Sequence, residues 1–274
     1  MKPTNKVIVV TGAGSGMGRA LVLALLKRGA GVAAVDFNES TLKETVALAG
    51  AAGKVSAHVV NVSDHQAVEA LPAAVIAAHG AVDGIINNAG IIQPFVRLND
   101  LQYDAIERVL NVNLYGVIYM TKAFLPHLLK RPEAHIVNVS SMGGFFPVPG
   151  QSLYGASKAG VKLLTEGLYS ELIDTNVRVT AVFPGAIATN ISQNSGVTIQ
   201  AAVSAESSQS FPTTSAEDAA NIIIDGMERD LFQVYVGRDA KMMNLLYRLS
   251  PKRATRFMYG KMKGSRSCCR DAPP

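Results

Sequence analysis

Short runs of consecutive apolar residues alternate along this chain with longer stretches in which apolar residues return every three or four positions. The runs have the length of strands buried on both faces, and the longer stretches have the period of helices packed on one side. Lys6 to Val10 is the first run. It is followed by Thr11-Gly12-Ala13-Gly14-Ser15-Gly16-Met17-Gly18 and by a helical pattern carrying Met17, Leu21 and Leu25 inward, which Gly29 should stop. Val32 to Val35 predicts a second strand ending in Asp36, Glu39 to Leu48 a helix, and Lys54 to Val60 a third strand. Ser63-Asp64 can cap a helix running to His79. Val82 to Ile86 leads into Asn87-Asn88-Ala89-Gly90, and Tyr103 to Leu129 reads as one long helical stretch with Asn113 near its middle. His135 to Val139 is a fifth strand, ending at Ser140-Ser141. A Gly- and Pro-rich loop and a helix opening on Tyr154-Gly155-Ala156-Ser157-Lys158 come next, then a strand from Val177 to Val182 with Pro184-Gly185 at its end. A helix over Ala216 to Met227 and a strand from Gln233 to Val236 precede a basic tail.

This alternation predicts an α/β fold: a single-domain, doubly wound parallel sheet with helices on both faces. Residues 1–240 are expected to form one dinucleotide-binding and catalytic domain, with the Ser-, Gln- and Ala-rich 190–212 segment covering the substrate. Residues 241–274 then form a basic amphipathic extension. Nearly every polar residue of chemical interest falls at the C-terminal end of an expected strand, where such sheets bind ligands.

Composition narrows the classes further. No apolar run reaches the roughly 18 residues a membrane span needs. The first apolar run ends too soon, at Thr11-Gly12, to serve as a secretory leader. The two cysteines, Cys268 and Cys269, are adjacent and offer neither a disulfide framework nor metal-ligand spacing, so a cytoplasmic location is expected. The five histidines share no face or ligand spacing, so no metal is expected. The net charge of +5 is a property of the tail: residues 240–270 hold nine Lys or Arg and no Asp or Glu, which leaves −4 for the remainder. With no nucleic-acid-binding signature beside it, the basic charge does not indicate a nucleic-acid partner.

The Gly-rich turn between the first strand and helix suits close approach of a phosphate to free N–H groups at a helix start. Contacts to a dinucleotide are expected from Gly12, Ser15, Gly16, Met17 and Gly18. No Gly-Lys-Ser/Thr follows, which rules out a Walker loop. A carboxylate at Asp36 would bind adenosine ribose hydroxyls and repel a 2′-phosphate, and Ser15, Phe37 and Asn38 supply no compensating cation. Arg19 is expected to be an exposed first-turn residue. NAD is therefore favoured over NADP. Tyr154 and Lys158 stand four apart and share a helix face. An ammonium beside a phenol, whose ordinary pKa is about 10, stabilises the phenolate and makes it a proton acceptor.

Gly12-x-x-x-Gly16-x-Gly18, Asn87-Asn88-Ala89-Gly90, Asn113, Ser141, Tyr154-x-x-x-Lys158 and Pro184-Gly185 together resemble the short-chain dehydrogenase/reductase family over about residues 5 to 240. The resemblance implies that Tyr154 is the general base in alcohol oxidation or the acid in carbonyl reduction. It makes Ser141 rather than Ser140 the hydrogen-bond partner of the substrate oxygen. Lys158 would lower the Tyr154 pKa and hold the nicotinamide ribose, and Asn113 would mark a helix irregularity that positions a proton-relaying water. Asn88, Ala89 and Gly90 would border the adenine ribose, and Ile187 and Thr189, after Pro184 and Gly185, would orient the carboxamide. Asn61-Val62 departs from the family's usual Asp-Val, with a modest expected effect on cofactor affinity.

The expected activity is thus hydride transfer between NAD and a secondary alcohol or ketone. An NADPH-dependent carbonyl reductase and a non-catalytic dinucleotide-sensing scaffold are the alternatives. Phe145, Phe146, Val148 and Leu153 flank the catalytic stretch, as core packing or as lining of an apolar pocket. Family relatives lead us to expect a homodimer or homotetramer built on the Tyr103–Leu129 and Ser152–Asp174 helices. In the tail, Met242, Leu245, Leu246 and Leu249 form an apolar stripe at i, i+3, i+4 and i+7. It reads as a helix packed on its own domain or a neighbouring subunit, or as a peripheral contact with an anionic membrane.

Overall fold

In a computed structural model that describes residues 1–50, 54–197 and 213–262, seven parallel strands form one sheet in the order β3-β2-β1-β4-β5-β6-β7. In chain order these are β1 (Val7–Thr11), β2 (Gly31–Asp36), β3 (Val55–Val59), β4 (Gly84–Asn87), β5 (Ala134–Val139), β6 (Val177–Pro184) and β7 (Gln233–Val236). Residues next to each other on a strand face opposite sides of the sheet. Ile8 and Val10 accordingly enter one core cluster with Leu21, Leu25, Val32 and Ile223, while Val9 enters the other with Val68, Leu71, Ile85 and Phe124. Burial on both faces is why the strands read as unbroken apolar runs.

The connecting helices are α1 (Gly16–Lys27), α2 (Glu39–Ala49), α3 (His65–His79), α4 (Tyr103–Leu110), α5 (Gly116–Leu128), α6 (Ser152–Glu171), the single turn α7 (Ile191–Asn194) and α8 (Ala216–Glu228). Asn38, Asp64 and Ser215 cap α2, α3 and α8 through their side-chain oxygens. The chain winds from β1 outward to β3 and then returns to lay β4 on the other side of β1. That reversal opens a crevice at the carboxyl ends of β1 and β4.

The Tyr103–Leu129 stretch carries an irregularity at Asn113: a π-helical turn, Asn111–Tyr115, separates α4 from α5. The tail forms α9 (Arg238–Leu249) and α10 (Pro251–Met262), with Pro251 at the first helical position, where its missing N–H costs nothing. The inner face of α9, however, is Asp239, Ala240 and Met243, with Met243 joining Phe146 and Ala254 in a small core. The Met242, Leu245, Leu246 and Leu249 stripe points to solvent, and Leu249 is 74% exposed. Ala240, Met243 and Tyr247 repeat with the same period as the stripe, so periodicity alone did not decide which face packs inward. Of the expected covering segment 190–212, positions 198–212 lie outside the described residues.

Candidate active site

The Gly-rich turn runs from the end of β1 into α1. Gly12 takes φ +67°, and a Cβ there would sit 3.0 Å from the Ala89 Cα, so the turn and the end of β4 lie too close for a side chain. Thr11, unassigned from sequence, joins them: its Oγ1 accepts from the N–H groups of Asn88 and Ala89, each at 3.0 Å, and its carbonyl accepts from Asn88 Nδ2 at 2.9 Å. Gly18 packs on the turn so closely that a Cβ would strike the Gly12 carbonyl. Ser15 does not cap α1 with its side chain; its Oγ accepts from Asn194 Nδ2 at 2.7 Å, linking the turn to α7. Gly16 faces Thr189 across the cleft, with 3.3 Å from its built Cβ to Thr189, and Met17 is half-buried against the core.

Asp36 closes β2. One carboxylate oxygen accepts from Gly14 N–H at 2.8 Å and the other from Asn38 N–H at 2.9 Å. An ionised carboxylate has about four acceptor positions, so roughly half remain for ribose hydroxyls. Arg19 is not the exposed residue expected. It bonds to Thr45 Oγ1 and to the Gly14 and Thr41 carbonyls, and it pairs with Glu44 at 2.8 Å. Its charge is thus paired with Glu44. Asn61 Oδ1 accepts from the Ser63 N–H and hydroxyl, and Val62 is buried against Gly116. Asn61 therefore shapes the turn into α3 while its amide nitrogen is left for other partners. The uncapped helix start, the spare acceptors of Asp36 and the glycine cradle fit a nicotinamide dinucleotide.

Beyond β4, the buried Asn113 lies in the π-helical turn. Its amide oxygen accepts from Ile91 N–H at 2.8 Å, and Nδ2 donates to the Ile91 carbonyl at 2.9 Å and to Ser157 Oγ at 3.1 Å. The irregularity expected at Asn113 is present, and its side chain ties the loop after β4 to α6. Lys158, 3% exposed, donates from Nζ to the Val139 carbonyl at 2.9 Å. Gly90 leaves room for that ammonium, since a Cβ there would lie 3.1 Å from Nζ. Ser140 is buried and bonds to the Lys158 carbonyl at 2.7 Å, whereas Ser141 Oγ accepts from the Gly143 N–H at 3.0 Å, with the Tyr154 ring against the same glycine.

Burial pushes the Tyr154 phenol up, with Ser141 opposing that rise. Burial also pushes Lys158 down to about 8. In this arrangement Lys158 Nζ is turned to the Val139 carbonyl. Desolvation, which favours the neutral form of each group, wins at both.

Three other residues were not foreseen. Gln93, fully buried, accepts at Oε1 from Leu153 N–H at 2.7 Å and Tyr154 N–H at 3.0 Å, and donates from Nε2 to the Gly150 carbonyl at 3.0 Å. It satisfies the first turn of α6, a task usually left to a residue just before the helix. Ser157 bonds the Tyr154 carbonyl and Asn113 together. Asp239, on the first turn of α9, accepts from Ala186 N–H at 2.7 Å and lies against Gly185, where any Cβ would collide with it. With Gly185 N–H bonded to Val236 and Ile187 bridged to Thr214, it holds the Pro184–Thr189 loop in place. Gln93 and Asp239 bond backbone groups distant in sequence, so no local motif announces them. Phe145 and Phe146 face away from the site: Phe146 packs on Met243 and Tyr247, and Phe145 sits edge-on to Phe183 and Tyr235. Val148 and Leu153 are half-buried.

A doubly wound sheet with a glycine cradle at its switch point and an acidic residue closing the second strand defines a Rossmann-fold protein of the oxidoreductase class. The chain belongs to the short-chain dehydrogenase/reductase family, whose model, described as short chain dehydrogenase, matches residues 6–199. It is 39% identical over 256 residues to SadH of Mycobacterium tuberculosis, named as an oxidoreductase, covering 89% of this chain and 91% of that one. To the 3-oxoacyl-[acyl-carrier-protein] reductase FabG of Thermotoga maritima it is 40% identical over 196 residues, covering 70% and 78%. Among solved structures, a short-chain dehydrogenase/reductase from Burkholderia phymatum in complex with NAD superposes with TM-score 0.79 at 26% identity, covering all of both chains. Among the described residues no helix is long and apolar enough to cross a membrane, and no cluster of His, Cys, Asp and Glu could hold a metal.

Proposed function

We propose that the protein is an NAD(H)-dependent oxidoreductase acting on a secondary alcohol or ketone, with Tyr154 as the proton-transfer group. The observation that carries this reading is that Ser141 Oγ and the Tyr154 ring both lie against Gly143, with Lys158 buried four residues along the same helix. A bound dinucleotide supplies the hydride donor or acceptor at nicotinamide C4. In reduction, Ser141 donates to the carbonyl oxygen and Tyr154 gives that oxygen its proton; in oxidation Tyr154 takes the hydroxyl proton as hydride leaves the carbinol carbon. A phenol whose pKa is raised by burial is a proton donor at rest, which favours ketone reduction near neutral pH and alcohol oxidation in alkaline solution.

Lys158 would hold the nicotinamide ribose, and Asn113 ties the loop after β4 to α6. Asp36, with acceptor positions to spare and Arg19 neutralised by Glu44, supports NAD over NADP. That neighbouring solved structures of the family carry NAD or NADH agrees with this preference. The FabG relative adds 3-oxoacyl thioesters to the candidate substrates.

The test is a panel of steroid, acyl and small cyclic ketones and alcohols, assayed with all four nicotinamide cofactors. Turnover of at least one ketone with NADH, at an efficiency well above that with NADPH, is expected. Turnover with NADPH alone would overturn the cofactor assignment. Dinucleotide binding without turnover on any class would favour a sensing role.

A further inference from the structure

Helices α9 and α10 present a surface that neither the sheet nor the site uses. Their inward residues are few: Ala240, Met243 and Ala254 are buried, and Tyr247 and Met258 are half-buried around Phe146. Outward, α9 exposes Met242, Leu245, Leu246 and Leu249, with Leu245 60% and Leu249 74% exposed. At 100° per residue these four span one side of α9, with Lys241 and Arg248 along its edge. The outward face of α10 carries Lys252, Arg253 and Arg256, all exposed. No Asp or Glu occurs from Ala240 to Arg270, and by sequence Lys261, Lys263, Arg266 and Arg270 add four more cations.

We propose that α9 and α10 dock the protein peripherally on an anionic lipid bilayer, the leucines of α9 entering the headgroup boundary and the cations of α10 meeting lipid phosphates. A helix with an apolar stripe, a cationic border and low mean hydropathy has the composition of an element that lies in a membrane interface. Charge decides between the two occupants an apolar stripe could have. A second copy meeting the first across a two-fold axis would bring two acid-free basic surfaces together, a repulsive arrangement. An anionic surface attracts every one of those cations within a Debye length.

The experiment is co-sedimentation of the full chain with vesicles of phosphatidylcholine alone, or with roughly one-third phosphatidylglycerol. Three forms are compared: wild type, L245S/L249S and K252E/R253E/R256E. Wild type should pellet with the anionic vesicles only, and less as salt is raised. Each variant should lose partitioning by about tenfold or more, since each removes one of the two attractions. NADH binding and urea midpoints of the variants should match wild type, because none of these residues touches the cofactor cleft. The proposal is overturned if wild type stays in the supernatant, or if either variant pellets as well as wild type. It is also overturned if L245S/L249S lowers the oligomeric mass measured by light scattering without vesicles, which would assign the stripe to a second copy.

Discussion

Replacing Gln93 by Leu keeps the volume of the side chain roughly constant and removes three hydrogen bonds at once. The N–H groups of Leu153 and Tyr154 lose their acceptor, and the Gly150 carbonyl loses its donor. Gln93 is fully buried, so these groups cannot all turn to water. Leaving a buried polar group unpaired costs about 1–3 kcal/mol, so three such groups set a loss of roughly 3–9 kcal/mol at most, reduced by the water these part-buried groups admit. A loss of this size is comparable to the stability of many domains, so the first turn of α6, which carries Tyr154, should loosen before the sheet does. Glu at 93 keeps the acceptor for both N–H groups, and its charge is favourable at a helix start. The expected order of kcat is therefore wild type, then Gln93→Glu, then Gln93→Leu, with KM and NADH affinity changing far less than kcat. Steady-state kinetics, NADH fluorescence and urea melts on all three proteins check it. Equal kcat in the Leu and Glu variants, or an unchanged melt for Leu, would refute the reasoning.

Removing the Asp36 carboxylate by Asp36→Ala should weaken NAD binding by about tenfold or more, as two backbone donors and the ribose hydroxyls lose an acceptor, while NADP binding falls less. Calorimetric titration of both cofactors measures the ratio. Lys158 makes stability depend on pH. Its folded pKa of about 8 lies below the ordinary value of 10.5, so between those limits the unfolded chain binds more protons. Stability attributable to this group must then rise as pH rises through that window, by a total of about 3 kcal/mol, and be flat below it. Lys158→Met should lack this rise, and urea midpoints of both proteins from pH 7 to 10.5 test it by difference.

Much of the sheet was legible because parallel strands covered on both faces must be written as apolar runs, as Val7–Thr11 and Gly31–Asp36 are. The Tyr154–Lys158 pairing was legible for a related reason. Tyr154 and Lys158 have their spacing in the chain itself, and Ser141 follows directly on a strand. Arg19 was misread because its partners, Thr41, Glu44 and Thr45, belong to the next helix. Gln93 and Asp239 escaped notice because each bonds backbone groups about 50 residues or more away. At Tyr154 and Lys158 the spacing does not report burial, which pushes the phenol up and the amine down, and Lys158 Nζ donates to the Val139 carbonyl. In α9 the period was legible and the inward face was not, because Ala240, Met243 and Tyr247 repeat with the same period as the leucine stripe.

The proposal that Tyr154 moves the proton is tested most directly by Tyr154→Phe. The change deletes one hydroxyl and keeps the ring that packs beside Gly143. A positioned acid–base group contributes on the order of 10²- to 10⁴-fold, so kcat should fall by at least about a hundredfold. NADH should still bind with an affinity within about a factor of two, because the backbone cradle and Asp36 are untouched. A variant that binds NADH and retains most of the wild-type kcat would contradict the assignment.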